Sequence, residues 1–360
     1  MANEISENKS MSSAINVTIH ASQFPENVRR DLLDSLRTRR VNHKFHYDSV
    51  RQTQKWLALH QAYSPTRNDA DCRAIYEKGF QAAVAQIKAK RVHVIGLGCG
   101  GGQKDTRLLK LLKARGREVF YIPCDVSTAM VLTARRTALA AVPEENCFPF
   151  VCDLATANDL PEILVTRHPS LARRAEASER RLVTFFGMIP NFEPQSILPK
   201  LAALVRPKDF LLFSANLAPG NNYAAGMKKI LPQYDNPLTR DWLMAFLFDL
   251  GVGRNDGKLR FKIEDNRANG LKRFVARFHF KRACSLEIEP EKFRFRPGDA
   301  IQLFFSYRYT PGRVRAILNR HGLEVCDQWT TQSEEEGVFL CRKSGRPIRP
   351  VRHGSTRAVE

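Results

Sequence analysis

The stretch "VHVIGLGCGGGQKDTRLLKLL", residues 92–112, places a glycine-rich turn between an apolar run and an amphipathic run. The apolar run predicts a buried strand, and the spacing of the leucines predicts a helix. Gly96, Gly98 and Gly101 satisfy the pattern G-x-G-x-x-G, which opens many nucleotide-binding βαβ units. A phosphate-binding P-loop needs Lys and then Ser or Thr directly after its last glycine, whereas here Gln103 intervenes. The loop therefore predicts a nucleotide-like cofactor but excludes a P-loop.

Acidic residues stand at the ends of the next two predicted strands. Asp125 ends the run "EVFYIPCD", and Asp153 ends the run "CFPFVCD". A carboxylate at the first position hydrogen-bonds ribose hydroxyls in nucleotide-binding folds, and one at the second can accept the amino group of adenine. The loop and the two carboxylates describe a ribose and adenine site. Such a site fits S-adenosylmethionine (SAM) as well as NAD.

Strands alternate with helices from residue 70 to residue 217, which predicts a doubly wound α/β domain with a mostly parallel sheet. The alternation then stops. Residues 218–251 have helical spacing, and residues 272–310 alternate with period two, which indicates antiparallel strands. A last helix and hairpin are expected to complete the first sheet. The middle segment is then an insertion, which we expect to pack with the helical N-terminal region.

These patterns predict an α/β protein with two domains. We expect a Rossmann-like cofactor domain from residues 70–217 and 301–344, and an α+β acceptor-binding domain from residues 21–69 and 218–300. Residues 1–20 are expected to form a flexible leader, and residues 345–360 a basic tail.

The amino-acid composition bears on further classes of protein, namely membrane, secreted, metal-binding and nucleic-acid-binding proteins. No apolar run approaches the roughly 20 residues of a membrane span, and the polar N-terminus has no signal-peptide core, so we expect a cytoplasmic protein. The 8 cysteines form no C-x-x-C pair, which indicates reduced thiols and no metal site. The formal charge of +20 is dispersed over several segments without a nucleic-acid-binding module. A solvated basic surface on a monomer is the favoured interpretation.

An ordered set of longer motifs carries a family resemblance. They are "FHYD" (45–48), "YSPTR" (63–67), "GLGCGGGQK" (96–104), "PCDVS" (123–127), "RLVTFFGMIPNF" (181–192), "LLFSANL" (211–217), "QYDN" (233–236), "LFFSYRY" (303–309) and "GLEVCDQWTT" (322–331). The chain resembles, from about residue 44 to 343, the histidine-specific SAM-dependent methyltransferases. That family includes the histidine α-N-methyltransferase of ergothioneine biosynthesis and the dimethylallyltryptophan N-methyltransferases. The resemblance favours SAM over NAD.

The resemblance also implies site residues. Gly98, Lys104, Asp125 and Asp153 would hold SAM, together with Gly96 of the fingerprint and Leu154 beside Asp153. Tyr63 would lie where donor and acceptor meet, and Asn191 would hold the α-amino or carboxylate group of the acceptor. These two are the expected catalytic residues. The acceptor pocket would further include Tyr47, Tyr234, Phe304 and Ser306.

One departure bears on the acceptor. Histidine-selective members of the family carry a glutamate two residues before the pocket serine, and here that position is Phe304. A phenyl ring cannot accept the imidazole N–H. We therefore expect an N-methyltransferase for the α-amino group of an amino acid or derivative that is less polar or more aromatic than histidine. The alternatives are a nucleic-acid methyltransferase, a catalytically idle ligand-binding relative and an NAD-dependent dehydrogenase.

Overall fold

The computed structural model describes residues 14–167 and 178–345. In chain order the helices are α1 Pro25–Thr38, α2 Val50–Tyr63, α3 Pro65–Asn68, α4 Ala70–Gln86, α5 Gln103–Ala114, α6 Thr128–Ala138, α7 Leu160–Arg167, α8 Pro194–Leu204, α9 Tyr223–Tyr234, α10 Pro237–Asp249 and α11 Pro311–Arg320. The strands are β1 Thr18–Ile19, β2 Arg91–Leu97, β3 Glu118–Asp125, β4 Phe150–Val151, β5 Glu179–Phe185, β6 Phe210–Asn216, β7 Gly257–Asn266, β8 Leu271–Phe280, β9 Cys284–Ile288, β10 Glu291–Phe295, β11 Ala300–Arg308, β12 Leu323–Thr330 and β13 Glu336–Lys343.

The larger sheet has eight strands in the order β1-β4-β3-β2-β5-β6-β13-β12. Its central pairs are parallel, whereas β13 runs antiparallel to both β6 and β12. The expected Rossmann-like α/β fold and the closing hairpin are therefore confirmed. Two apolar clusters cover this sheet, one containing Val94 and Leu109 and the other Ile95 and Phe213. The strands are buried on both faces, as parallel sheets require.

The N-terminal segment joins this sheet, so the expected leader is wrong at its end. The Thr18 N–H donates to the Pro149 carbonyl over 3.0 Å, and the His20 N–H donates to the Val151 carbonyl over 2.9 Å. The side chain of His20 is buried. The strand is only two residues long, Thr18–Ile19, which is too short for a period-two pattern to mark it in the sequence. Residues 1–13 of the expected leader, and residues 346–360 of the expected tail, lie outside the described residues.

The smaller sheet has the order β11-β8-β7 and is antiparallel, and β9 and β10 form a separate hairpin. The domain boundary expected at residue 301 is wrong, because β11 pairs with β8 from Ala300 to Arg308. The period-two alternation of this segment had already indicated an antiparallel strand. The rest of the two-domain division stays a prediction.

The smaller sheet packs against the N-terminal helices. Leu36 of α1 and Phe45 share one apolar cluster with Trp242 of α10 and Phe278 of β8. Residues of the insertion and of the N-terminal region therefore share a core. Across the described residues, no helix is both long enough and apolar enough to cross a bilayer.

Candidate active site

A cavity of about 1000 Å³ opens where β2, β3, β4 and β5 end. The carboxyl ends of parallel strands are the usual ligand site in open α/β sheets. Its wall includes the glycine loop, Asp125, Asp153 and Asn191 from the larger sheet, and Phe305 from the smaller one. The cavity thus lies between the two sheets, at the carboxyl ends of the parallel strands.

Positive φ angles shape the glycine loop. Gly98 has φ +61°, Gly100 has φ +52° and Gly102 has φ +76°, a conformation that side chains disfavour. A Cβ at Gly98 would lie 2.6 Å from Met188 Cγ, and one at Gly102 would lie 2.7 Å from Ala134 Cα. The loop therefore needs glycine both to turn and to leave the cavity wall open.

Gly96, which we expected to hold the cofactor, lies behind the cavity wall. It leaves room for the buried carboxylate of Asp105, which an added Cβ would meet. Asp105 accepts hydrogen bonds from the Tyr121 hydroxyl over 2.7 Å and from Thr184 Oγ1 over 2.8 Å. Asp105 lies in the first turn of α5, so its hydrogen bonds attach that helix to the sheet. Gly96 makes room for this contact.

Asp125 and Asp153 both line the cavity, and hydrogen bonds hold each carboxylate in place. Asp125 accepts the Gly100 N–H on Oδ2 and the Ser127 N–H on Oδ1, over 3.0 and 3.1 Å. Burial raises the pKa of Asp125, and these N–H groups oppose that shift. Asp153 accepts the Ala155 N–H on Oδ1 over 2.8 Å, and Thr156 Oγ1 and Asn42 Nδ2 on Oδ2 over 3.0 and 3.3 Å. Leu154 lies beside it in the wall. A carboxylate can accept about four hydrogen bonds, so each of the two has acceptor capacity left for a ligand.

Lys104 is one of several cations that line the cavity. Its ammonium lies 4.3 Å from the centre of the Tyr76 ring and donates to the Tyr76 hydroxyl over 3.2 Å. That hydroxyl donates to Glu336 Oε1 over 2.7 Å. Burial lowers the pKa of Lys104 and raises the pKa of Glu336. A ligand carboxylate beside Lys104 would compensate the buried ammonium.

Two predicted acceptor residues also line the cavity. Tyr47 packs against Trp56 and Trp242 with ring centroids 6.0 and 5.4 Å apart. Burial and the nearby Asp125 raise the pKa of Tyr47 above its usual range, so its hydroxyl stays protonated. Asn191 ends a short 3-10 helix, Ile189–Asn191, after β5. Both offer a neutral hydrogen-bonding group to a ligand.

The other predicted acceptor residues lie outside the cavity wall. Tyr63 ends α2 with 53% of its surface exposed. The Tyr234 hydroxyl donates to Ser306 Oγ over 3.0 Å. Phe304 is buried in the core against Trp242, with ring centroids 5.6 Å apart.

The neighbouring Phe305 takes the place at the cavity that we expected for Phe304. Successive side chains of a strand point to opposite faces, and the pairing of β11 with β8 shifts by one residue between Gln302 and Phe304. That irregularity decides which phenyl ring reaches the cavity, and its position was not readable from the sequence.

Several lining residues were not predicted. Trp56 and His60 lie one turn apart on α2, and their rings stack with centroids 4.9 Å apart. Burial lowers the pKa of His60 to about 4, with Lys104 and Arg67 adding to the shift. Their spacing of four residues was the available signal. His43, Met188 and Glu193 also line the cavity and gave no such signal.

Known proteins are similar to this chain over most of its length. A family described as "Histidine-specific methyltransferase, SAM-dependent" matches residues 28–343. The N-methyltransferase imqF of Aspergillus flavus is 23% identical over 283 residues, which are 77% of this chain and 73% of that protein. The histidine N-alpha-methyltransferase of Mycobacterium tuberculosis is 25% identical over 338 residues, which are 88% of this chain and 95% of that protein. A solved structure, magnesium protoporphyrin IX methyltransferase from Synechocystis PCC 6803, has a TM-score of 0.40 and 13% identity, covering 83% of this chain and 97% of its own.

Proposed function

Because this chain belongs to the family of histidine-specific, SAM-dependent methyltransferases, we propose that it methylates the α-amino group of an aromatic amino acid or a close derivative. It is a SAM-dependent N-methyltransferase: the family description gives SAM, and the names of both relatives give N-methyl transfer. The aromatic acceptor is our inference. We still predict that the protein is cytoplasmic, acts on a small-molecule acceptor and is a monomer.

One observation carries the acceptor class: Asn191 shares the cavity with an aromatic wall of Tyr47, Trp56, Phe192 and Phe305. A volume of about 1000 Å³ lies at the upper end of the range for small-molecule sites. It offers room for a cofactor and a small acceptor together. Aromatic side chains favour stacking with an aromatic acceptor.

The cavity residues fit SAM by their chemistry. Asp125 would accept ribose hydroxyls, and Asp153 would accept an N–H group of adenine. The ammonium of Lys104 would pair with the carboxylate of the methionine part. A Cβ at Gly98 would collide with the side chain of Met188, which also lines the cavity, so glycine lets the loop and Met188 form this part of the wall together.

When bound, SAM supplies an activated methyl group on a sulfonium sulfur, and the protein has to align the acceptor with it. Transfer to an amine is an in-line displacement, so orientation of the nitrogen lone pair supplies much of the rate. The amine must be neutral, because an ammonium has no lone pair. Asn191 and Tyr47 would orient the amine through hydrogen bonds without changing their own protonation.

The first experiment is isothermal titration calorimetry of the protein saturated with S-adenosylhomocysteine (SAH). L-tryptophan, L-histidine and L-phenylalanine are added in separate titrations, and methyl transfer from SAM to each is measured by mass spectrometry. We expect tryptophan to bind more tightly than histidine and to be methylated on its α-amino group. Titration without SAH is the control for ordered binding.

Three outcomes would contradict the proposal. Tight binding of histidine alone would make this a histidine methyltransferase. Binding of SAH and amino acids without turnover would indicate a ligand-binding relative. Methylation of RNA, with activity falling steeply as salt increases, would indicate a nucleic-acid methyltransferase.

A further inference from the structure

Glu193 stands at the start of a helix that its side chain does not cap. It is the N-cap residue of α8, yet its carboxylate makes no capping hydrogen bond to that helix. Ser, Thr, Asp and Asn are preferred there, because their short side chains reach the free N–H groups of the first turn. A residue that breaks a local rule in this way often serves a ligand.

The carboxylate of Glu193 is instead held by the smaller sheet. Tyr307 of β11 donates its hydroxyl to Glu193 Oε2 over 2.6 Å, and Arg273 of β8 donates from Nη1 to Oε1 over 2.9 Å. Asn266 Nδ2 also approaches Oε2, at 3.5 Å. Burial, and then the bond to Glu193, raise the pKa of Tyr307, so the hydroxyl remains a donor. The carboxylate is therefore fixed in place.

Glu193 nevertheless keeps a free face. About a third of its side chain, 33%, is exposed, whereas Arg273 is only 13% exposed. Glu193 lines the large cavity and lies two residues after Asn191. A carboxylate with two oxygens can accept about four hydrogen bonds, so it has capacity left for a ligand.

Arg273 also ties Glu193 to the aromatic wall. Its guanidinium lies over the ring of Phe305, with the central carbon 5.3 Å from the ring centroid. One residue thus holds a phenyl ring and a carboxylate next to each other at the cavity. An aromatic heterocycle that stacks on the ring can present an edge N–H to the carboxylate.

We propose that Glu193 selects acceptors whose aromatic ring carries an N–H group, by accepting that N–H beside Phe305. This inference rests on the proposed function, since it assumes that an aromatic amino acid occupies the cavity. A neutral N–H fits better than a second cation, because Arg273 already compensates the negative charge and would repel another positive group. Indole and imidazole both carry such an N–H, and a phenyl ring does not. Glu193 therefore replaces the acceptor that Phe304 lacks, and the larger indole is preferred because it stacks over more of the Phe305 ring.

The test compares L-tryptophan with 3-benzothienyl-L-alanine, in which sulfur replaces the indole N–H at nearly the same size. Dissociation constants are measured by calorimetry in the presence of SAH. We expect the unmodified protein to bind tryptophan roughly 10- to 100-fold more tightly, the range for a hydrogen bond to a charged group. In Glu193→Ala the ratio of the two dissociation constants, benzothienylalanine over tryptophan, should fall close to 1. Glu193→Gln keeps a carbonyl acceptor and should give an intermediate ratio.

Glu264→Gln is the matched control. Glu264 pairs with Arg277 and lies 3.9 Å from Arg273, but it does not line the cavity. We expect the tryptophan ratio and the SAH affinity to be unchanged in this variant. An equal loss in Glu264→Gln would show that the effect passes through the arginines and would overturn the proposal.

The outcomes separate the inference from the proposed function. Normal methylation of tryptophan, with an unchanged ratio in both Glu193 variants, would refute the role of Glu193 alone. No binding and no methylation of any aromatic amino acid by the unmodified protein would refute both. SAH affinity is also measured in each variant, and an unchanged value shows that the cofactor site is intact.

Discussion

The backbone N–H of Gly100 donates a hydrogen bond to Asp125 Oδ2 over 3.0 Å. The glycine loop is thereby attached to the end of the next strand before any ligand binds. Because Ser127 donates to the other oxygen, the carboxylate has one fixed orientation. Preorganisation of this kind reduces the entropy that binding would otherwise lose.

Asp125→Ala should weaken SAH binding roughly 10- to 100-fold, because hydrogen bonds to a charged group are lost. Calorimetry with SAH measures this directly. Asp34→Ala is the control, since that carboxylate is 55% exposed on α1 and pairs with Arg37. Equal affinities of the two variants would exclude Asp125 from the cofactor site.

Gly98→Ala and Gly116→Ala form a second matched pair. Both glycines have positive φ, +61° and +71°, so each alanine should lose about 1–2 kcal/mol of folding free energy. Only the Cβ at Gly98 meets a cavity residue, Met188, whereas the space around Gly116 is open. We expect SAH affinity to fall in Gly98→Ala alone. A comparable fall in Gly116→Ala would attribute the effect to lost stability.

The two adjacent phenylalanines of β11 should behave differently. Phe304→Ala empties a core position and should cost about 3–5 kcal/mol in the free energy of unfolding. Phe305→Ala should cost less and should raise the KM for an aromatic acceptor, because Phe305 lines the cavity. Denaturant unfolding and steady-state kinetics measure the two effects. A larger KM effect in Phe304→Ala would indicate that Phe304, as we first expected, lies in the acceptor pocket.

His46 should make the protein less stable in mild acid. It is fully buried, and burial lowers its pKa to about 4, against about 6.5 in the unfolded chain. Between these values only the unfolded chain takes up the proton. The free energy of unfolding should therefore fall as pH decreases from 6.5 to 4, by up to about 1.4 kcal/mol per pH unit.

His46→Gln should reduce this slope, because glutamine can still donate to the Leu303 carbonyl, which lies 2.7 Å from His46 Nε2, without titrating. Urea unfolding at a series of pH values measures the slope. Parallel curves for the variant and the unmodified protein would show that His46 does not cause the acid sensitivity.

Methyl transfer should increase with pH until the acceptor amine is deprotonated, near pH 8 or above for an α-amino group. Burial lowers the pKa of His43 to about 3 and that of His60 to about 4, so neither ring titrates above pH 6. The kcat/KM profile should show one inflection, which moves with the amine pKa of the acceptor. An inflection that is absent in His60→Gln would assign the titration to the enzyme instead.

Local patterns predicted most of the larger sheet. The apolar run before the glycines became β2, the leucine spacing became α5, and "EVFYIPCD" became β3 without change. Each signal lies within a few residues of the element that it predicts. Strand β1 was missed because it has only two residues, Thr18 and Ile19, too few to show a pattern.

The candidate site was predictable where it follows strand ends, and less so where it depends on tertiary packing. Asp125, Asp153 and Asn191 reached the cavity because the ends of parallel strands share one edge. The pocket residues on β11 depended on a one-residue irregularity that leaves no pattern in the sequence. Glu193 was missed because it sits at a helix start, where its type gives no positive signal.

The order of the strands along the chain leaves one strand edge unpaired while the protein is being synthesised. Strand β6 pairs with β5 on one side and with β13 on the other, and the whole smaller sheet lies between β6 and β13 in sequence. While the ribosome adds those residues, one edge of an apolar strand stays open, and such edges promote aggregation. A chain that ends before Glu336 would keep that edge exposed permanently. The last strand therefore closes an edge that stays open throughout synthesis of the smaller sheet.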